Sequence, residues 1–484
     1  MHEIATQGFA YPNELHVAWS VMIALYPYIT GLVAGAFIVS SLYHVFGDKD
    51  LKPVGNMALV AALCFIMFCM TPLLFHLGQP FRCFNIMFTP NLMSAMSIFG
   101  YICFFYMGIL LVEIWLVFRE DIINRSKEGF IVKRCFYWLL ALGVTEMTDE
   151  SRALDKKIIG VLAAVGIPSA CILHGYVGFI FGAVKSNPWW STPLMPLIFL
   201  LSAIVSGIAV LILMYMIAMK LTGREVSVPC IQALCKYFWG FLIVDVTLEG
   251  LEVLTMGYEG EESWGILSQL MTGKLALSYI WIQGIIGSLV PLVLLGIVTL
   301  RPLKDRTKVT FATISAVLIL IQVFAMRWNV VIGGQLFSKS LRGFTDYNLS
   351  LLGKEGLLMS LILFSLPFIT FYICTLIFPI FKDSGEVKAG GGRFLARVCP
   401  VGENRSGHYT LPEPADNVRV PHGPQQAGEQ VLRVEHGALH PLGELLGGDD
   451  GLLGLLGEAI ELHDPGSRFG FGWDVRNGGR RSVD

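Results

Sequence analysis

TPLMPLIFLLSAIVSGIAVLILMYMIAMK, residues 192–220, decides the fold, because its one charged residue is Lys220 at the very end. At 1.5 Å per residue a helix of this length reaches about 43 Å, beyond the ~30 Å hydrocarbon core of a bilayer. Comparable apolar runs recur at 17–46, 55–77, 93–118, 158–184, 229–256, 275–300, 308–327 and 354–381. With 192–220 they predict an all-α polytopic membrane protein of about nine transmembrane helices (eight to ten), arranged as two packed helix bundles. Apolar segments near 136–145 and 263–273 are too short to cross and are expected at the membrane interface.

Composition agrees. The 484 residues are 54% hydrophobic and 15% charged, with a mean hydropathy of +0.63. Soluble domains carry about 25% charged residues, so a soluble enzyme and a DNA-binding protein with a basic face are both excluded. The net charge of −2 adds nothing about partners, and no nucleic-acid partner is expected.

Basic residues in the connections orient the protein. With the N-terminus outside, the inner loops hold sixteen Lys and Arg and the outer loops seven. A periplasmic N-terminus follows, although the last outer loop is oddly basic (Arg327, Lys339, Arg342, Lys354). The first sixteen residues lack the basic segment and cleavage site of a signal peptide.

Residues 1–383 form the expected membrane domain. From 384 to 484 the composition switches abruptly to twenty Gly, nine Arg, one Lys, one Ile and no Met. Two readings of this tail stay open: a disordered Gly/Arg-rich extension, or a change of reading frame near Ser384. Neither assigns it a function.

Cysteine usage limits the cofactors. Cys64, Cys69, Cys103, Cys171, Cys230 and Cys374 lie in or beside apolar spans and read as small hydrophobes. The sequence has no C-x-x-C, C-x-x-C-H or ferredoxin-like run, so no intrinsic iron–sulfur cluster, c-type haem or structural metal is expected.

The chemistry centres on FLIVDVTLEGLEVL, 241–254. Asp245, Glu249 and Glu252 are spaced i, i+4, i+7 and project from one helix face. A charged carboxylate in mid-membrane costs about 2.5–3.5 kcal/mol, so the three must face the bundle interior, where repulsion prevents all from keeping their charge. A helix–helix polar patch is the bland alternative. His76 in LLFHLGQPFR, Glu249 and Glu252 fall within ~10 Å of the outer surface, and His174 and Asp245 at ~15 Å. Arg327 ends the eighth span, and Glu113 lies in the inner half of the third, where it could begin a proton path. Carboxylates and His in an apolar cleft suit a quinone headgroup, which needs hydrogen-bond partners and proton acceptors. A b-type cytochrome anchor, with His76 and His174 as axial ligands, and a transporter or proton channel using the same carboxylates remain open. No inverted repeat supports the transporter. Trp189, Trp190 and Trp328 read as interfacial anchors, and Ser202, Ser206 and Gly207 as close helix packing.

Three stretches carry a resemblance: HLGQPFR at 76–82, HGYVGFIFGAVKSNPWWSTPLMPLIFLLSAIVSG at 174–207, and RWNVVIGGQLFSKS at 327–340. Over residues 1 to about 381 the protein resembles the NrfD/PsrC family, the quinone-interacting membrane subunits of respiratory oxidoreductases such as polysulfide reductase. It is most similar to the branch in Hmc- and Dsr-type complexes of sulfur-metabolising bacteria. The resemblance implies a bacterial inner-membrane subunit, not a stand-alone enzyme, that binds menaquinone near the outer face. It also implies a ferredoxin-like iron–sulfur subunit as partner, often a multihaem cytochrome c, and sometimes a further catalytic subunit. His76, Gln79 and Arg82 match the motif ending the second span, which reads Asp–Leu–Gly–Arg–Pro in many relatives, and His76 replaces its acid. His174 belongs to the matching fourth-span motif. Nine spans depart from the usual eight or ten. The roles expected are proton exchange by His174 with Glu249 or Glu252, quinone contact by His76, Gln79, Arg82, His174 and Arg327, and a proton path through Asp245 and Glu113.

Overall fold

Proline and glycine mark where the apolar runs begin and stop. The computed structural model describes residues 16–127 and 130–381. Among them, nine helices are long and apolar enough to cross a membrane: α1 (Val21–His44), α2 (Lys49–His76), α3 (Ala95–Lys127), α4 (Asp149–Gly182), α5 (Met195–Thr222), α6 (Val228–Glu259), α7 (Ala276–Leu300), α8 (Asp305–Gln335) and α9 (Leu357–Ile377). Pro196 and Pro229 sit in the first turns of α5 and α6, where a missing N–H leaves no bond unmade. Gly223 and Gly260 end the same helices in left-handed conformation, at φ 67° and 60°. The α2 helix is broken after Phe68 and resumes at Thr71, next to Pro72. The two short segments are helices too, Ile131–Leu140 and Glu262–Thr272. No strand occurs among the described residues, only isolated bridges such as His16 with Asp346.

Helices α1–α4 form one bundle and α5–α8 the other, with α9 laid against α2 and α1. The α1 and α5 helices are the most enclosed and join the bundles. They cross where Gly35 meets Gly207: a Cβ on Gly207 would lie 2.4 Å from the Gly35 Cα. This is the close packing expected of the small residues in 202–207. Tyr28 ties α1 to α8, donating to the Leu320 carbonyl at 3.1 Å and meeting Phe324 edge-on.

The direction of the backbone places the starts of α1, α3, α5, α7 and α9 at one face, the N-terminal face, where α2, α4, α6 and α8 end. The tail boundary near 384, both readings of that tail and the absence of a signal peptide lie outside the described residues.

Two expectations change. The eighth span does not stop at Arg327: its helix continues to Val331 and a further turn covers Gly333–Gln335, because the Arg327 charge is compensated within the bundle. Trp189 and Trp190 are not surface anchors but buried, each 6% exposed. The Trp190 indole donates to the Val330 carbonyl at 2.6 Å and stacks on Trp19, and the lack of a side chain at Gly334 makes room for it.

Candidate functional site

The α6 helix continues to Glu259, so its carboxylates sit further from the helix end than the sequence reading places them. Counting back at 1.5 Å per residue, Glu252 lies ~10 Å, Glu249 ~15 Å and Asp245 ~21 Å from that end. Glu249 and Glu252 are half-buried, and Asp245 is fully buried. The two glutamates face a narrow cleft of about 30 Å³, the room of about one water, which a ligand would have to widen. Trp189, Met195, Met256 and Tyr279 supply its apolar and aromatic walls, Gln283 and Asn329 its other polar groups.

A directed series of hydrogen bonds ends on Glu249. The Ser278 hydroxyl donates to Asn329 Oδ1 at 2.7 Å, and Asn329 Nδ2 donates to Gln283 Oε1 at 2.8 Å. Gln283 Nε2 then donates to Glu249 Oε2 at 3.2 Å, and Gln322 Nε2 faces Glu249 Oε1 at 3.5 Å. Glu249 is thus held as an acceptor by two amides, which fixes its carboxylate against the cleft. Glu252 keeps Oε1 without a partner and has the Thr192 hydroxyl beside it. One carboxylate is anchored and its neighbour has a free oxygen, an arrangement able to take up and pass on protons.

Local backbone geometry brings Ser278 and Gln283 together. The first part of α7, Ala276–Leu289, is wound as a π-helix, and its widened turn shows in the Ser288 hydroxyl bonding the Gln283 carbonyl five residues back. Such segments recur at functional sites. Gly287 lets α8 approach here, since a Cβ would meet the Gln322 Cβ at 2.3 Å.

Arg327 is not at the mouth. It is 1% exposed and lies where α1, α5, α6 and α8 meet. Its Nη2 donates to Ser202 Oγ at 2.8 Å and to the Phe199 carbonyl at 3.1 Å, while the guanidinium lies over the Phe199 ring at 3.8 Å. Asp245, Glu249 and Tyr26 are its electrostatic neighbours. Both Asp245 oxygens and Arg327 Nε lack hydrogen-bond partners, so their attraction acts through space.

The remaining expected residues lie elsewhere. His174 is buried between α4 and α1; its Nδ1 faces the Ala170 carbonyl at 3.1 Å and its Nε2 the Thr30 carbonyl. Both ring nitrogens face backbone carbonyls, to one of which a neutral imidazole donates, so His174 ties helices and does not line the cleft. His76 sits at the rim of α2, with Nδ1 2.9 Å from Glu355 and 3.2 Å from Ser20 Oγ. The His174 ring is thus taken up by the α1–α4 contact, whereas His76 is held at the rim through Nδ1. Gln79 and Arg82 are exposed in the loop after α2. Glu113 is buried in α3 with Oε2 unpartnered, and its electrostatic neighbour is Tyr106 of the same helix.

Ser278, Tyr279, Gln283, Gln322 and Asn329 escaped the sequence reading. Gln283 and Gln322 stand alone in the apolar runs YIWIQGII and LILIQVFA, and a polar amide inside a span is itself the signal.

Comparison with known proteins matches residues 12–339 to the family described as Polysulphide reductase, NrfD. A subunit of the selenate reductase of Mesobacillus selenatarsenatis is 32% identical over 41% of the present protein, and the match covers 48% of that relative, about half its length. The Hdr-like menaquinol oxidoreductase integral membrane subunit of Archaeoglobus fulgidus is 25% identical over 66% of the present protein and 72% of its own length. Protein NrfD of Escherichia coli is 25% identical over 68% of the present protein and 99% of its own length. The family match spans α1–α8 and all of the cleft's walls, and the protein belongs to the NrfD/polysulphide reductase family of multi-pass membrane proteins.

Proposed function

We propose that this protein is the quinone-reactive membrane subunit of a respiratory oxidoreductase, with menaquinone as substrate in the Glu249–Glu252 cleft. The observation that carries the proposal is the cleft itself, an aromatic-walled slot in the membrane part with one anchored carboxylate and one free carboxylate oxygen. The family membership and the menaquinol oxidoreductase named among the relatives support it.

Oxidation of a quinol releases two protons with its two electrons. Glu249 accepts a headgroup hydrogen bond while Gln283 and Gln322 keep its carboxylate from turning away. Glu252 takes the proton and passes it towards the N-terminal face, some 10 Å away by helix rise. Trp189 and Tyr279, in edge contact at 5.6 Å, hold the ring and exclude water. Arg327, the buried cation nearest Asp245 and Glu249 in electrostatic terms, offsets negative charge at this end of the cleft. Extension of the proton path inwards from Asp245 to Glu113 is part of the same reading, with Tyr106 as the group adjoining Glu113. His76, Gln79 and Arg82 belong to the rim, where an iron–sulfur subunit, and with it a multihaem cytochrome c or a catalytic subunit, would dock close enough to exchange electrons. The N-terminal face is periplasmic in this reading, as the distribution of Lys and Arg favours.

Titration of the full-length protein with a fluorescent naphthoquinol analogue tests this. Saturable quenching is expected, weakened by Glu249→Gln and by Gln283→Leu and unchanged in His174→Gln. Equal binding by Glu249→Gln and wild type removes the cleft from the mechanism.

A further inference from the structure

A second cavity lies on the far side of α6, away from the carboxylates. It is an open groove between α6 and the second half of α7, about 350 Å³ in volume, walled by Trp239 and Ile243 of α6 and by Leu292, Val293, Gly296 and Ile297 of α7. Leu300 and Arg301 close its end. Val293 and Leu300 are 53% and 69% exposed, so the groove opens towards the lipid and not into the bundle.

Three features define what fits. The walls offer no hydrogen bond: the Trp239 indole already donates to the Leu292 carbonyl at 3.1 Å, and the other wall residues are apolar. Gly296 supplies the depth, since a Cβ there would press on the Trp239 ring at 3.2–3.4 Å. Arg301 is the first charged residue after α7, and its side chain has no hydrogen-bond or ion-pair partner among the described residues, its backbone N–H alone donating to the Ile297 carbonyl at 3.0 Å. From Leu292 to Arg301 the helix rises ~14 Å, about half of a ~30 Å hydrocarbon core. The guest is therefore apolar along its body, as long as one leaflet is deep, and anionic at the end that reaches the surface.

We propose that this groove binds an anionic phospholipid, with an acyl tail against Trp239 and Gly296 and the phosphate on the Arg301 guanidinium. The charge of the adjoining connection fits, because Lys304, Arg306 and Lys308 follow Arg301 and only Asp305 opposes them, near Lys308 at 3.8 Å. Basic pockets between transmembrane helices at a basic face bind anionic headgroups in this way. The site is separate from the quinone cleft and does not depend on the function proposed for it.

Native mass spectrometry of the full-length protein, titrated with dioleoyl phosphatidylglycerol against dioleoyl phosphatidylcholine, tests the assignment. Wild type is expected to prefer phosphatidylglycerol for the first lipid bound. Arg301→Gln should reduce that preference about fivefold, the worth of one basic residue at an anionic surface. Arg306→Gln, outside the groove, should leave it unchanged, and Val293→Trp should block the first lipid of either kind while the helix content stays that of wild type. An equal loss in Arg306→Gln and Arg301→Gln would show general attraction to a basic loop and overturn the site. Displacement of the lipid by inorganic phosphate alone, or a polypeptide helix retained in the groove in place of lipid, overturns it as well.

Discussion

Replacing Arg327 by Met removes the one fully buried cation among the described residues, at the junction of the two bundles. The lost contacts are two hydrogen bonds from Nη2, at 2.8 Å to Ser202 and 3.1 Å to the Phe199 carbonyl, one from Nη1 to Met326 Sδ at 3.2 Å, and the stacking on Phe199 at 3.8 Å. Asp245 then remains fully buried, with neither oxygen hydrogen-bonded and its compensating charge gone. Breaking a buried pair from one side costs about 3–5 kcal/mol, whereas replacing both charges is often neutral. Arg327→Met should therefore destabilise the protein by about 3–5 kcal/mol, and Arg327→Met with Asp245→Asn should recover at least ~1 kcal/mol of it. The assay is unfolding in mixed dodecyl maltoside–dodecyl sulfate micelles followed by tryptophan fluorescence, with all four members of the cycle compared. Additive single effects would refute the electrostatic coupling and make Arg327 a packing residue that bridges α5 and α8.

Other consequences follow from packing and surface charge. Gly207→Leu should cost at least ~3 kcal/mol, the upper end for overpacking, because the new Cβ meets backbone 2.4 Å away in α1. Gly160→Ala in α4, where a Cβ meets nothing within 4 Å, should be neutral or stabilising by up to ~1 kcal/mol; paired thermal-stability measurements check both. Trp190→Phe leaves the Val330 carbonyl without its 2.6 Å donor and should cost about 1–3 kcal/mol, read in the same unfolding assay. At the N-terminal face, the hydrogen bond from Lys274 at 2.6 Å holds the Asp346 carboxyl below its usual range. Because that carboxyl is depressed on folding, its stabilisation is complete above about pH 4 and fades as pH falls through the lowered value. The protection factor of the Val17 amide, whose N–H donates to the Asp346 carbonyl at 3.0 Å, should fall on acidification in wild type once intrinsic exchange is divided out, and that step should vanish in Lys274→Met.

How much was legible in the sequence differs between fold and site. An apolar stretch longer than the hydrocarbon core has one stable outcome in a bilayer, a helix with its backbone bonds closed internally. For that reason the nine spans, the two short helices and the small-residue contact at Gly207 could be read locally. The carboxylate face of α6 was legible for the same reason, since a period of 3.6 puts Asp245, Glu249 and Glu252 together whatever surrounds them.

What these residues meet was not legible, because partners come from helices distant in sequence. Gln283, Gln322 and Asn329 converge on Glu249 only when α7 and α8 pack beside α6, and a π-wound turn and Gly287 are needed for that approach. His174 looked like chemistry from its type and depth, yet two backbone carbonyls at the α1–α4 contact face its ring nitrogens. Arg327 looked like the end of a span because a lone guanidinium in lipid is costly. Ser202, Phe199 and Asp245, supplied by two other helices, make the same residue an interior one. Which segments enter the membrane and which helix face is polar depend on neighbours within a few residues, and so are written in the chain. Which polar groups are satisfied and which are left for a ligand depends on the partners each one finds across the bundle, and packing alone supplies those.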